Sequence, residues 1–282
     1  MTNCVTAGKY DDAARVLADL LRMQTEPIAI LAALGKELRK LYTARMALDT
    51  GWNGEATSYN VIGEITGREK PEEVVLIGAH LDSWDLGTGA IDDGAGIGIT
   101  MAAGHLIGKL EQAPKRTIRV VAFANEEQGL HGGKAYAARH AGHASSHQLV
   151  AESDFGAGRI YAFNTGAPAH ARAATAQTAE ALKPLGIDYA PDKGGTGPDI
   201  GPIAAKGAAW AWLAQDGSDY FDLHHNADDT LDKIDPAALA QNVAAYAVFA
   251  AMLLWDFLIP KLQIRAALRA ARLRNARRQA AP

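Results

Sequence analysis

The sequence predicts an α/β fold: a three-layer α/β/α sandwich around a central mixed, mostly parallel sheet, with a helical hairpin ahead of it. Three observations carry this. Short apolar runs alternate with longer stretches of helical period, the pattern of strands joined by crossover helices. The runs at 74–79, 117–123 and 149–152 are apolar almost throughout, as strands buried on both faces are, instead of alternating in and out. Each of these runs also stops abruptly at polar residues, which places the polar chemistry at the carboxyl edge of the sheet, where open α/β folds bind ligands.

Taken in order, apolar residues recur with helical period at Val16, Leu17, Leu20 and Leu21, and again at Ile28, Leu31, Leu34, Leu38 and Leu41. Pro27 suits the first turn of the second series, so residues 1–50 are expected to form a helical hairpin segment. The Gly-, Asn- and Thr-containing stretch 49–58 reads as a linker. One α/β domain is then expected over 51–259. Tyr59 to Ile65 starts the sheet, Thr66-Gly67 and Lys70-Pro71 mark a turn, and Val74 to His80 is the organising strand. A helix rich in small residues follows over 94–110, then a strand at 117–123, a helical stretch through Tyr136 to Ala141, and a strand at 149–153. Residues 168–185 read as helix, 208–213 as strand, and 235–258 as a long amphipathic helix with Pro236 at its start. Residues 260–282 are expected to be a basic helical tail.

Composition narrows the function. The 282 residues carry a net charge of −4, with Lys261 and six arginines gathered after residue 260. The body of the chain is therefore acidic, which disfavours nucleic acid as a partner. The single cysteine, Cys4, excludes an internal disulfide and a cysteine metal cluster. The start lacks a basic segment followed by an apolar core, and no run of 18 apolar residues occurs. The expectation is no membrane span and a cytoplasmic protein as encoded.

Four segments end a strand or follow one with metal-competent side chains: His80 with Asp82, Asp92, Glu126 with Glu127, and Asp154. A fifth is the loop DLHHNADDT at 222–230. A lone Asp at a strand end is usually a helix cap, and a lone His is usually a hydrogen-bonded structural residue. Two acids at a helix start are ordinarily solvated. Their convergence on one sheet edge shifts the balance toward a metal site, since imidazole and carboxylate are the donors of catalytic zinc. The glycines at 94, 96 and 98 do not form a dinucleotide loop, because Asp92 and Asp93 would repel a pyrophosphate. His140, His143 and His147 are expected to be solvated. Trp84, Tyr220 and Phe221 either line the mouth of the site or pack in the core.

The segments AHLDSWDLGTGAIDDGAG, FANEEQGLHG, ESDFGAG, GGTGPDIGP and DYFDLHHNADDT occur in that order over about 55–256. Together they resemble the zinc-dependent aminopeptidase and glutamate carboxypeptidase family, within it the plasma glutamate carboxypeptidase-like dipeptidases. The resemblance implies two zinc ions per chain: His80, Asp92 and Asp154 on one, Asp92, Glu127 and His225 on the other, with Asp92 bridging. It implies Glu126 as general base, Asp82 orienting His80, and a cis peptide between Asp92 and Asp93. Spacing within HNADDT favours His225 over His224. The implied activity is a metallo-exopeptidase, an aminopeptidase or dipeptidase removing the N-terminal residue of short peptides. Two rivals are a non-catalytic interaction protein that keeps the fold and a glutaminyl cyclase-like zinc enzyme. Members of that branch resemble secreted or periplasmic proteins. Residues 9–48 faintly resemble a helical piece of a DNA polymerase clamp-loader delta subunit.

Overall fold

The computed structural model describes residues 54–255, apart from Asp192, together with Arg15. Apart from Arg15, the expected helical hairpin at 1–50, with its clamp-loader resemblance, lies outside the described residues, as does the basic tail at 260–282.

Seven strands form one sheet in the order β1-β3-β2-β4-β7-β5-β6. They are β1 (Val61–Ile65), β2 (Lys70–His80), β3 (Arg116–Phe123), β4 (His147–Glu152), β5 (Ile160–Thr165), β6 (Asp188–Tyr189) and β7 (Trp210–Gln215). β3, β2, β4 and β7 run parallel to one another. β1 pairs antiparallel with β3, and β5 antiparallel with β7. The sheet is thus mixed and mostly parallel. The four longer helices are α1 (Ala95–Gly108), α2 (His131–Arg139), α3 (Arg172–Leu182) and α4 (Pro236–Leu254).

Side-chain alternation along β2 makes the layers. Val75 and Ile77 point into a core shared with Ile99 and Ile107 of α1, Leu182 of α3, and Tyr246 and Phe249 of α4. Val74 and Leu76 point the other way, to Tyr136 and Ala137 of α2 and to Ile200 and Ile203. Because both faces are covered, the strand reads as a continuous apolar run.

Three elements differ from the sequence expectation. β2 begins at Lys70 instead of after Pro71. Its register against β3 shifts between Lys70 and Val74, a bulge that accommodates the proline, and Pro71 O accepts the Thr117 hydroxyl at 2.7 Å. β5 and β6 were not foreseen; IYAFNT is short and its Asn and Thr mask the strand signal. The last helix is not amphipathic but mostly buried, an apolar core helix. It is long and apolar enough to cross a membrane, yet two thirds of its most apolar window is covered by protein. Its two polar residues explain why. Gln241 accepts from Ile160 N at 2.9 Å and donates to Ile160 O at 2.8 Å, while Asn242 donates to Gly158 O at 2.9 Å and accepts from Gln215 Nε2 at 2.7 Å. They satisfy backbone groups where β5 begins. Asp235 caps this helix by accepting from Ala237 N and Ala238 N.

His147 departs from expectation as well. It is the first residue of β4 and is 3% exposed, with Nε2 2.7 Å from the Tyr136 hydroxyl. Burial pushes its imidazole down to about 4, so it is held neutral.

Candidate metal centre

The carboxyl ends of β3, β2, β4 and β7 lie side by side, and each feeds one part of the site. His80 ends β2; Glu126 and Glu127 follow β3; Asp154 follows β4; His224 and His225 follow β7. Asp92 sits on the turn Ala90–Gly94 that opens α1, where it and Asp93 adopt non-helical backbone angles. The Asp92–Asp93 peptide is cis, as the resemblance implied, and a second cis bond joins Asp85 and Leu86.

The carboxylate of Asp92 faces two ways. Its Oδ1 is 3.0 Å from His80 Nε2, which is also 3.5 Å from Asp154 Oδ1. Its Oδ2 is 3.1 Å from His225 Nε2, and His225 Nε2 is 2.9 Å from Glu127 Oε2. All of the expected metal-site residues are therefore brought together. His224 stacks on His225 with ring centroids 3.4 Å apart, and its Nε2 is 3.5 Å from Asp92 Oδ2. His224 thus stays near the site, but His225 makes the shorter approach to Asp92 and has the Glu127 contact.

Asp82 is placed differently from the simplest expectation. His80 Nδ1 is 2.9 Å from the backbone carbonyl of Asp82 and 3.7 Å from its carboxylate. The carboxylate instead accepts from Glu126 N at 2.9 Å and Glu127 N at 3.1 Å. It fixes the turn that carries the two glutamates. Trp84, at the rim, donates its indole N–H to Glu127 Oε2 at 2.7 Å. Tyr220 and Phe221 do line the cleft, Tyr220 buried and Phe221 exposed.

Sequence reasoning missed how the acids beneath the site are used. Asp93 accepts from His80 N at 3.1 Å and from Gly96 N at 3.0 Å. Asp229 accepts from Ile91 N at 2.5 Å and Asp92 N at 3.2 Å. Glu152 accepts from Asp199 N and Ile200 N, and Asp199 from Gly133 N. The Asp-Asp pair in HNADDT and the Asp in GPDIGP were visible signals, but nothing in them tells a ligand from an acceptor of backbone amides.

The concentration of carboxylates sets the electrostatics. Burial alone would pull the His80 imidazole down, but hydrogen bonds to Asp154 and Asp92 and the charge of Asp93 push it up to about 12. Burial raises Glu126, and repulsion from Asp154 adds to it, to about 7. Glu127 is raised by burial and by Asp92. Asp92 goes down: burial opposes this, and the bond to His80 outweighs it. Asp93 and Glu152 are raised by burial and by the neighbouring Asp154.

The donor chemistry suits zinc. Imidazole nitrogen and carboxylate oxygen are what catalytic zinc takes. One ligand atom each from His80, Asp92 and Asp154 lie within 4.8 Å of one another, as do those of Asp92, His224 and His225, and those of His80, Glu126 and Glu127. A cleft of about 570 Å³ opens over these groups, lined also by Leu130, Phe155, Thr196, Pro198 and Trp212. That volume is in the range of small-molecule sites.

Comparison with known proteins gives the same picture. Residues 60–250 match peptidase family M28. Carboxypeptidase Q of Bos taurus is 39% identical over 194 residues, covering 69% of this chain and 41% of that protein. The crystal structure of a peptidase M28 precursor from Shewanella amazonensis SB2B superimposes with a TM-score of 0.70 at 53% identity, over 72% of this chain and 46% of that one. An aminopeptidase from Aneurinibacillus sp. strain AM-1 gives a TM-score of 0.55 at 25% identity, over 68% of this chain and 47% of that one. The chain thus spans less than half the length of these relatives.

Proposed function

The chain belongs to peptidase family M28, and from that premise we propose that it is a di-zinc exopeptidase that removes the N-terminal residue of short peptides. The observation that carries the reading is the two-way carboxylate of Asp92, one oxygen toward His80 and Asp154, the other toward His225. A carboxylate so placed suits a bridge between two cations about which the other donors divide. His80, Asp92 and Asp154 would hold one zinc, and Asp92, Glu127 and His225 the other. The pair would supply Lewis acidity, polarising the scissile carbonyl and making a water more acidic.

The chain's own residues do the rest. Glu126 lines the cleft beside these donors and is left out of both ligand sets in this reading, so its carboxylate takes the proton of the attacking water and returns it to the leaving amine nitrogen. Asp82 holds the backbone of Glu126 and Glu127, which fixes the turn from which the proton carrier and the ligand both project. Trp84 pins Glu127 by its indole N–H, so that this carboxylate does not swing toward Glu126's task. Phe155, Trp212 and Phe221 offer apolar walls to a peptide side chain. Relatives whose names include aminopeptidase and carboxypeptidase Q support exopeptidase chemistry without fixing the side chain preferred.

The test is metal content by elemental analysis after dialysis of zinc-reconstituted protein, followed by hydrolysis of free and N-acetylated short peptides. About two zinc ions per chain, with cleavage only of peptides bearing a free amine, is the expected result. No tightly held metal, or equal cleavage of both peptide sets, would sink the reading; the former is also what an interaction protein on this fold would give.

A further inference from the structure

We infer that Asp229 is a positioning residue that couples the two halves of the site, by tying the loop that carries His225 to the backbone of Asp92. The inference rests on the reading that these two residues are metal ligands. Asp229 is 4% exposed and lies four positions after His225. Its Oδ1 accepts from Ile91 N at 2.5 Å and its Oδ2 from Asp92 N at 3.2 Å. Its backbone carbonyl accepts Thr88 N at 2.8 Å and the Thr88 hydroxyl at 3.1 Å. The two loops also touch directly: a Cβ on Gly87 would lie 2.5 Å from Asn226 O and 2.8 Å from Asp229 Cβ.

A local explanation does not account for this. An Asp before a helical turn ordinarily accepts the amides just ahead of it, as Asp235 does with Ala237 N and Ala238 N. Asp229 precedes the turn Leu231–Lys233, yet its carboxylate reaches amides 138 and 137 positions away in sequence. Both oxygens are spent on the one segment that carries the two-way carboxylate.

The other half of the site has its own anchor. Asp93 accepts from His80 N and Gly96 N, which fixes Asp92's neighbour to β2 and α1 without Asp229. Loss of the Asp229 link would therefore leave the His80, Asp92 and Asp154 grouping in place and let the His225 loop drift from Asp92. Outer partners of this kind typically govern metal affinity by about 10–100-fold.

The test uses the full chain with Asp229→Asn, which keeps the side-chain size but turns one acceptor into a donor facing an N–H. Zinc stoichiometry against a chelator series and the absorption spectrum of the cobalt-substituted protein are the readouts. Wild type is expected to hold two ions. Asp229→Asn is expected to keep one and lose affinity for the second by about 10-fold or more, with unchanged circular dichroism. Asp232→Asn, in the same loop but bonded to Thr230 and Lys233 and to no other described residue, is expected to keep both. If Asp229→Asn does not fold, Gly87→Ala, which wedges the same two loops apart, should show the same selective loss. Two ions retained within threefold of wild-type affinity, or both lost together, overturns the role. A wild-type chain holding no metal overturns the di-zinc reading beneath it.

Discussion

Gly96→Ala is expected to damage the site through packing alone. Gly96 is the second residue of α1, and a Cβ there would lie 1.9 Å from Ser153 O and 2.3 Å from Asp93 Oδ1. A carbon and a carbonyl oxygen come into contact at about 3.3 Å, so the helix and the end of β4 would have to part by about 1.4 Å. No side-chain rotation relieves a clash with a backbone oxygen, and Ser153 N is itself bonded to Gly78 O at 2.9 Å, so β2 would be dragged along. Forced shifts of this size in a packed interior cost roughly 1–3 kcal/mol or more. Asp154 is the next residue and Asp93 is the direct neighbour of Asp92, so the strain falls on both sides of the two-way carboxylate. A displacement of about 1 Å at a catalytic constellation costs on the order of 100-fold in rate. The assay pairs urea unfolding with peptide hydrolysis under zinc saturation. The expectation is a lowered midpoint with unchanged slope and kcat/KM down by about two orders of magnitude. Wild-type stability together with wild-type kcat/KM would refute the claim that this contact sets the site.

Three further outcomes are expected. Glu126→Gln should keep metal content while kcat falls by about 10²–10⁴-fold, read by elemental analysis and steady-state kinetics; surviving activity removes it as proton carrier. His225→Ala should weaken metal binding far more than His224→Ala, because His225 has the 2.9 Å contact with Glu127 and the shorter approach to Asp92; a chelator titration of both variants checks the ranking, and the reverse order moves the ligand by one residue. His147, held neutral with its imidazole pushed down to about 4 from an ordinary 6.5, contributes stability that is fully present above pH 6.5 and is lost as pH falls toward 4, since only the unfolded chain takes up the proton. His147→Gln should remove up to about 3 kcal/mol of that acid-side loss relative to wild type, measured as the difference in urea-unfolding free energy between pH 7.5 and 4.5. Parallel pH profiles for the two proteins would show that His147 does not titrate this way.

Legibility of the fold followed burial. β2, β3, β4 and β7 are covered on both faces, so their sequences are apolar runs with sharp ends, and those ends located the site. β5 and β6 carry weaker signals because β6 is an edge pair of two residues and β5 includes Asn164 and Thr165. α4 was foreseen as a helix, but its character was misjudged: Gln241 and Asn242 look like a solvated stripe, whereas they serve the backbone of Ile160 and Gly158 inside the core. His147 was misjudged for the same reason. A polar side chain in a sequence does not disclose whether its partner is water or a buried group such as the Tyr136 hydroxyl.

The acids of the site show where that boundary falls. Asp82, Asp93 and Asp229 each spend both carboxylate oxygens on backbone amides: Glu126 and Glu127, His80 and Gly96, Ile91 and Asp92, respectively. Among the described hydrogen bonds, Asp92, Glu126, Glu127 and Asp154 accept from no backbone N–H; Asp92, Glu127 and Asp154 approach imidazoles, and Glu127 also takes the Trp84 indole. A carboxylate with both oxygens committed to amide donors has little capacity left for a cation. One whose oxygens face imidazole, a single indole or the open cleft retains that capacity. Seven acids that look alike in sequence thus divide by partner into those committed to backbone amides and those that are not. The division explains why Asp82, read from sequence as the orienter of His80, instead uses its carboxylate to hold the glutamate turn: the peptide amides at 126 and 127 need acceptors more than His80 does, because the Asp82 carbonyl already meets His80 Nδ1.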